Sequence, residues 1–568
     1  MSEEQRPQPE QPETVSDQAL RHTLALNPLV GLRGRDLFDG VATMLKAVIN
    51  EPAIAARQWL WFMDELGTIA TGQSERSPEA GDKRFVDATW KSSKLHRGLL
   101  QTYLAWGSAI EKFVDQSSLS ELDKTRARLI TTILVDALAP TNALLTNPVA
   151  LRQLIDSGGE SLWRGLMNYF DDFVQNGGLP SQVKKSVFKV GENLACTPGA
   201  VVFRNPLLEL IQYAPTTANV QKRPLVITPP QINKYYAMDL SPDKSMVRFL
   251  LNSGIQTFCI SWRNPTAEQH DWGLDTYVAA LDESVDAVRD IVSSDDITMM
   301  GSCSGGITAS AYLGTLVGRN EHKIKNIVLA VCVLDTATIG DSAFGSLVTP
   351  ETMQAAKQAS RLRGVLDGRD LALMFAWMRP NDLIWNYWVN NYLLGKEPPA
   401  FDILFWNADT TRLPARLHSD YIDLYFTNPF VNSKKLSLNG TAIEMERVKV
   451  DSYVIAGVTD HITPWKSVYQ TAKIMGKDTI FILSNSGHLQ SLLNPPGNAK
   501  ASFVTGRLEQ AGPDAFLAGS KKHEGSWWLH WRDWLYERSD EEKPAPTMLG
   551  NARHCAGVPA PGTYVFDQ

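Results

Sequence analysis

Ile297-Thr298-Met299-Met300-Gly301-Ser302-Cys303-Ser304-Gly305-Gly306-Ile307-Thr308-Ala309-Ser310-Ala311 is the stretch that decides the fold. The first four residues read as a strand, and the small residues from Ile307 onward read as a helix. Between them lies G-x-Nuc-x-G with cysteine at the centre, the pattern of a nucleophile held at a strained strand-to-helix bend. Glycines flank such a bend because it leaves no room for side chains beside the nucleophile. The helix N-terminus beyond it favours negative charge and so assists a thiolate. Ser302 and Ser304 also carry hydroxyls, but the glycine register centres on Cys303. Ser304 is expected instead to offer its backbone N–H to an oxyanion.

A free thiol, with a reference pKa of about 8.5, is only slightly ionised at neutral pH, so the chemistry needs a base at a neighbouring strand end. His488, in Ser484-Asn485-Ser486-Gly487-His488, follows the last predicted strand, and Asp460, in Gly457-Val458-Thr459-Asp460-His461, follows the one before it. The order nucleophile, acid, histidine is that of the α/β-hydrolases. Asp335 and His461 are the rivals, at an earlier strand end and on the wrong loop respectively. A second oxyanion donor is expected from Pro229-Pro230-Gln231-Ile232-Asn233, the loop after the Leu225–Thr228 strand, with Ile232 as the positional candidate. Cys259 and Cys332 lie inside apolar strands and read as small buried thiols.

Outward from the bend, short β-rich runs alternate with helical segments. They are Ala200–Phe203, Leu208–Tyr213, Leu225–Thr228, Thr257–Trp262, Ile297–Gly301, Ile327–Leu334, Asp451–Ala456 and Thr479–Ser484, which predict an α/β fold with a mostly parallel sheet. Residues 336 to about 450, dense in aromatics such as Trp385, Trp388, Tyr392 and Trp406, are too long for a loop and suit an inserted helical cap. The Trp527–Trp534 segment reads as a packed terminal helix. Residues 1–25, rich in Pro, Gln and Glu, read as a flexible tail. Residues 26–195 read as a helical N-terminal domain and 196–568 as the catalytic domain. Within the helical region, Asn50 before Pro52 marks a helix start, Ser118 with Glu121 resembles a capping box, and Asn176-Gly177-Gly178 stops a helix.

The chain has 568 residues, 43% hydrophobic and 21% charged, with a net charge of −7. No basic run suggests nucleic acid, and no stretch is long and apolar enough for a transmembrane segment. The polar, acidic N-terminus lacks the features of a secretory signal. Five scattered cysteines without a CxxC pair suggest neither a disulfide framework nor a metal site, and they fit a reducing cytoplasm. Exchange between thiols preserves the activation of an acyl group, so the cysteine leans towards acyl-CoA chemistry and onward transfer.

GGLPSQV (177–183), PPQINKYYAMDLSP (229–242), SWRNPT (261–266), GSCSGG (301–306), MRPNDLIWNYWVNNYLLG (378–395), FDILFWNADTTRLP (401–414), DHITPW (460–465) and SNSGHLQSLLNPPGN (484–498) resemble segments of the poly(3-hydroxyalkanoate) synthases. The likeness runs from about Asn27 to the C-terminus. TRLP and SLLNPPGN look most like the class II, medium-chain-length type; Ser302 and Leu489 stand where relatives often carry other small or apolar residues.

The resemblance implies Cys303, Asp460 and His488 as the catalytic residues. It also implies polymerisation of (R)-3-hydroxyacyl-CoA thioesters through acyl-cysteine adducts, with no cofactor beyond the CoA that the substrate carries and releases. A homodimer at the surface of cytoplasmic polyester granules is implied too, with granule-associated proteins as partners and a helical N-terminal region in contact with the granule. Two other readings compete with this one: a cysteine-dependent thioesterase or esterase, and a catalytically silent granule-binding protein.

Overall fold

The computed structural model describes residues 23–24, 32–79, 82–176, 179–337, 350–378, 380–476, 478–508, 512–539 and 541–568. Of the tail 1–25, only Thr23–Leu24 falls among them; Gly177 and Gly178 lie outside. The described chain divides into two compact units. One comprises Met1–Pro180, Ala343–Arg363 and Leu373–Lys396, and the other Ser181–Ser342, Gly364–Ala372 and Glu397–Gln568. The division falls before the boundary expected near 195, and the 336–450 insertion contributes to both units.

The second unit is built on a ten-stranded sheet. Its strands in chain order are β1 (Gly199–Arg204), β2 (Leu208–Tyr213), β3 (Leu225–Thr228), β4 (Thr257–Trp262), β5 (Ile297–Ser302), β6 (Ile324–Ala330), β7 (Asp451–Gly457), β8 (Ile480–Ser484), β9 (Ser502–Gly506) and β10 (Lys521–Glu524). They lie side by side as β10-β9-β8-β7-β6-β5-β3-β4-β2-β1. From β8 to β4 every pairing is parallel; the strands outside that run pair antiparallel.

The central strands are buried on both faces, as β3 and β5 are along their whole length. That is why they read as unbroken apolar runs in the sequence. Helix Leu274–Val292 covers the sheet with Leu274, Tyr277, Val278, Leu281, Val285, Val288 and Val292, an apolar stripe at helical spacing. Trp527, Trp528, Trp531 and Trp534 are buried in helix Trp527–Tyr536, as expected for a packed terminal helix.

Two features of the sheet differ from the sequence reading. β6 spans Ile324–Ala330 rather than 327–334, because Val331 takes a positive φ of 46° and turns the chain out of the ladder, while Cys332 to Leu334 stay buried. β9 and β10 were not expected. β10 is Lys-Lys-His-Glu, without apolar alternation, as suits an edge strand that must not invite further pairing.

The first unit holds helices Gly34–Asn50, Pro52–Ala70, Lys94–Gln116, Glu121–Ala137, Pro148–Asp156 and Glu160–Gln175. Glu51, not Asn50, precedes the Pro52 helix. Ser120, not Ser118, caps the helix that follows it, accepting from Asp123 N–H at 3.1 Å. Ser118 instead donates its Oγ–H to Glu51 at 2.8 Å, tying two helix starts together. Arg84 joins Asp82, Asp136 (3.0 Å) and Asn381 (3.1 Å).

The aromatic stretch of the insertion forms π-helical turns at Asn381–Trp385 and Trp388–Leu393. Helix Glu160–Gln175 rests against this stretch at backbone distance: a Cβ on Gly165 would stand 1.9 Å from Tyr392 O, and Tyr392 OH donates to Asp172 at 2.8 Å. Gly67, inside helix Pro52–Ala70, has nothing within 4 Å of a Cβ. Gly67→Ala should therefore stabilise the first unit by about 0.5–1 kcal/mol through helix propensity, whereas Gly165→Ala, which meets backbone, should destabilise it. Urea unfolding of the two variants reads both signs; a stabilising Gly165→Ala would contradict the packing.

Candidate active site

Cys303 sits between β5 and helix Ser304–Gly318 with φ 49° and ψ −124°. A non-glycine residue in this region is strained and persists only where its surroundings over-determine it. They do so here. Cys303 N–H donates to Ala330 O at 2.9 Å, and Gly306 N–H donates back to Cys303 O at 3.0 Å. A Cβ on Gly301 would lie 2.6 Å from Gly306 Cα, and one on Gly305 would lie 2.4 Å from Thr228 O and Pro229 O. The two glycines of the motif are thus required by close approach of backbone.

Asp460 and His488 arrive from the ends of β7 and β8. Their loops are laced together by Val458 N–H to Ser484 O (2.8 Å) and Thr459 N–H to Ser486 O (3.2 Å). His488 opens the short helix His488–Leu492. Carbonyls of that helix accept from the indole of Trp527 (Ser491 O, 2.7 Å) and of Trp528 (Leu492 O, 3.1 Å). The terminal tryptophan helix therefore does more than fill space: it fixes the element that carries the imidazole.

His488 Nδ1 is 2.7 Å from Asp460 Oδ2. The other carboxylate oxygen, Oδ1, accepts from Ile462 N–H (2.9 Å) and Thr463 N–H (3.0 Å), and Thr463 Oγ1 donates to Oδ2 at 2.7 Å. Burial alone would raise the Asp460 pKa, yet His488 and these donors hold it below the ordinary value. Burial would likewise depress the imidazole, but the Asp460 carboxylate and the hydrogen bond with the Cys303 side chain push its pKa up to about 10. With Nδ1 committed to Asp460, Nε2 is the nitrogen left for sulfur. The three residues singled out in the sequence thus stand in one row.

The rivals are placed elsewhere. Asp335 Oδ1 accepts from Asn428 Nδ2 at 2.8 Å and from Ala337 N–H at 3.0 Å, and it is His488, not His461, that meets Asp460. Cys259 and Cys332 are buried, and burial raises both thiols well above their ordinary pKa. Among the described residues, the backbone N–H groups of Ser304 and Ile232 donate to no protein acceptor, as an oxyanion pair requires. Thr463 was missed in the sequence, although Asp460-His461-Ile462-Thr463 has the spacing of a side-chain turn in which an aspartate accepts from the backbone two and three residues on. Among the described residues no cluster of three or more His, Cys, Asp or Glu could hold a metal, and no helix is long and apolar enough to cross a membrane.

Sheet order and elbow together define an α/β-hydrolase-fold protein, and residues 224–495 match the α/β-hydrolase fold family. Residues 81–250 match the family described as the poly-beta-hydroxybutyrate polymerase N-terminus. The chain is 49% identical to poly(3-hydroxyalkanoate) polymerase 1 of Ectopseudomonas oleovorans, over 97% of this chain and 98% of that protein. It is 46% identical to polymerase 2 of the same organism, over 95% and 96%. Against the polymerase subunit PhaC of Cupriavidus necator it is 37% identical, over 88% and 85%. The chain belongs to the poly(3-hydroxyalkanoate) polymerases, acyltransferases that form polyester.

The His488 pKa fixes a sign. It is raised from 6.5 in the reference state to about 10, so between those values the folded chain holds a proton that the unfolded chain releases. The pair's contribution to stability is complete below about pH 6.5 and fades as pH rises to about 10. The difference in urea midpoint between the unsubstituted chain and His488→Gln should shrink across that window. A difference that grows with pH would contradict the ion pair.

Proposed function

We propose that the chain polymerises (R)-3-hydroxyacyl units, delivered as CoA thioesters, through acyl adducts on Cys303. The proton that His488 carries is the one given up by the Cys303 thiol, and the thiolate attacks the thioester carbonyl. The oxyanion that forms points at the N–H groups of Ser304 and Ile232. As the carbonyl re-forms, the carbon–sulfur bond to CoA breaks, and the departing thiolate takes the proton from His488. The 3-hydroxyl of another acyl unit then gives its proton to His488 and attacks an acyl-cysteine; the new ester forms as the carbon–sulfur bond to Cys303 breaks, and the freed sulfur shares the proton now on His488, ready for the next unit.

The observation that carries this reading is the hydrogen-bonded row Cys303–His488–Asp460 at a strained elbow. Asp460 acts by orienting His488 and stabilising its charge. Support for that role over activation of the hydroxyl comes from its surroundings: its side chain is fully buried, and Ile462, Thr463 and His488 occupy both of its oxygens. His488 is then the base for both half-reactions.

Family membership supports a cytoplasmic homodimer at the granule surface, medium-length acyl substrates and contacts with granule-coating proteins. The outward apolar residues of helix Glu160–Gln175, Trp163, Phe170, Phe173 and Val174, support contact between the first unit and an apolar granule.

Incubation with (R)-3-hydroxyacyl-CoAs of several chain lengths should yield insoluble polyester and stoichiometric CoA, with medium lengths preferred. Free hydroxy acid as the sole product would place the chain with the thioesterases, and absence of CoA release would leave only a binding role. Cys303→Ala should abolish CoA release, whereas Cys259→Ala and Cys332→Ala should change stability alone.

A further inference from the structure

Gln231 directly precedes Ile232, and the protein engages each of its polar groups. Its backbone N–H donates to Ser304 Oγ at 3.2 Å, and its carbonyl accepts from Thr411 Oγ1 at 2.9 Å. Its side-chain Nε2 donates to Thr308 Oγ1 at 2.9 Å, and its Oε1 accepts from Tyr421 OH at 2.8 Å. The residue is 4% exposed. Thr308 Oγ1 passes the chain on to Ser304 O at 3.2 Å, so the network returns to the residue that bears the other oxyanion donor.

The backbone of the same loop is fixed from two further sides. Trp262 Nε1 donates to Pro229 O at 2.8 Å, and the missing side chain of Gly305 lets Thr228 and Pro229 lie directly on the elbow. A fully satisfied, buried polar network specifies one arrangement, since loosening any member leaves another unpaired in a dry site. Next to it, Ile232 N–H remains without an acceptor among the described residues.

We propose that Gln231 is the positioning residue of the oxyanion hole, locking Ile232 N–H in register with Ser304 N–H, and that Thr411 and Tyr421 of the inserted segment hold it there. This rests on the acyl-transfer reading above. No bond is made or broken by Gln231. Its effect is confined to steps in which charge develops on the acyl oxygen, where one misplaced donor costs roughly 10²–10³ in rate.

The test compares two reactions of the same sulfur. Acyl transfer from a 3-hydroxyacyl-CoA forms an oxyanion; alkylation of Cys303 by iodoacetamide does not. Gln231→Met keeps the volume and loses the side-chain hydrogen bonds. It should lower kcat for CoA release about 100-fold with KM changed less than about 3-fold, while the alkylation rate and its pH profile stay unchanged. Tyr421→Phe, which removes one hydroxyl and keeps the fold, should show a smaller loss with the same split. Thr411→Ser should behave as the unsubstituted chain and Thr411→Val should not.

Equal losses in both reactions would overturn the proposal, because Gln231 would then support the thiolate or the fold. No loss in either, or a loss in alkylation alone, would overturn it too. Absence of CoA release from the unsubstituted chain with normal alkylation would sink the acyl-transfer reading itself, and this proposal with it.

Discussion

The backbone of Cys303 is where the molecule accepts strain, and much of the second unit is arranged to make that strain hold. A positive φ at a residue with a side chain is opposed by contact between Cβ and carbonyl oxygen. It is stable here because Cys332 just past β6, the start of helix Ser304–Gly318 and the chain at the end of β3 converge on a few glycines at distances no side chain tolerates. The parallel strands bring those elements together. Their order also sets Asp460 and His488 at adjacent strand ends, so the strained bend and the charge network follow from one topology.

The buried charges at that site stand because each is matched. An isolated imidazolium in this environment would lose its proton, and an isolated carboxylate would gain one. Together, and with the backbone of Ile462 and Thr463 added, they shift in opposite directions, so that both remain charged. The arrangement is costly to take apart, since removing one partner of a buried pair typically costs about 3–5 kcal/mol. Trp527 and Trp528 bind the helix of His488 rather than the imidazole itself, so orientation is controlled from two sides.

The sequence made the elbow legible because a nucleophile between glycines after an apolar strand has few other physical explanations, and the positions of Asp460 and His488 followed from strand ends. Six of the eight expected strands, β3 to β8, were legible for a related reason: buried parallel strands are continuously apolar. β10 was not, because an edge strand is selected for polarity and Lys521-Lys522-His523-Glu524 looks like a surface loop. The end of β6 is hidden in the sequence because the apolar run continues past Val331, where only the backbone turns. Ser118 resembles the cap that Ser120 provides, since two serines two residues apart offer the same chemistry. Gln231 and Thr463 act through contacts with distant residues or through turn geometry, and neither stands out by type.

The units into which the chain divides are discontinuous. The polypeptide passes from one to the other after Pro180, Ser342, Arg363, Ala372 and Lys396. A stop codon or protease cut near residue 180 or 195 therefore does not release an intact helical body. A stop codon there removes the aromatics of 381–393 altogether, and a cut followed by separation puts them on a different piece from the helix on which they rest; either way the face of Glu160–Gln175 at Gly165 and Asp172 loses its cover. Gene fusion meets the same limit: because each unit is assembled from several separate stretches, neither can be carried into another gene as one contiguous cassette.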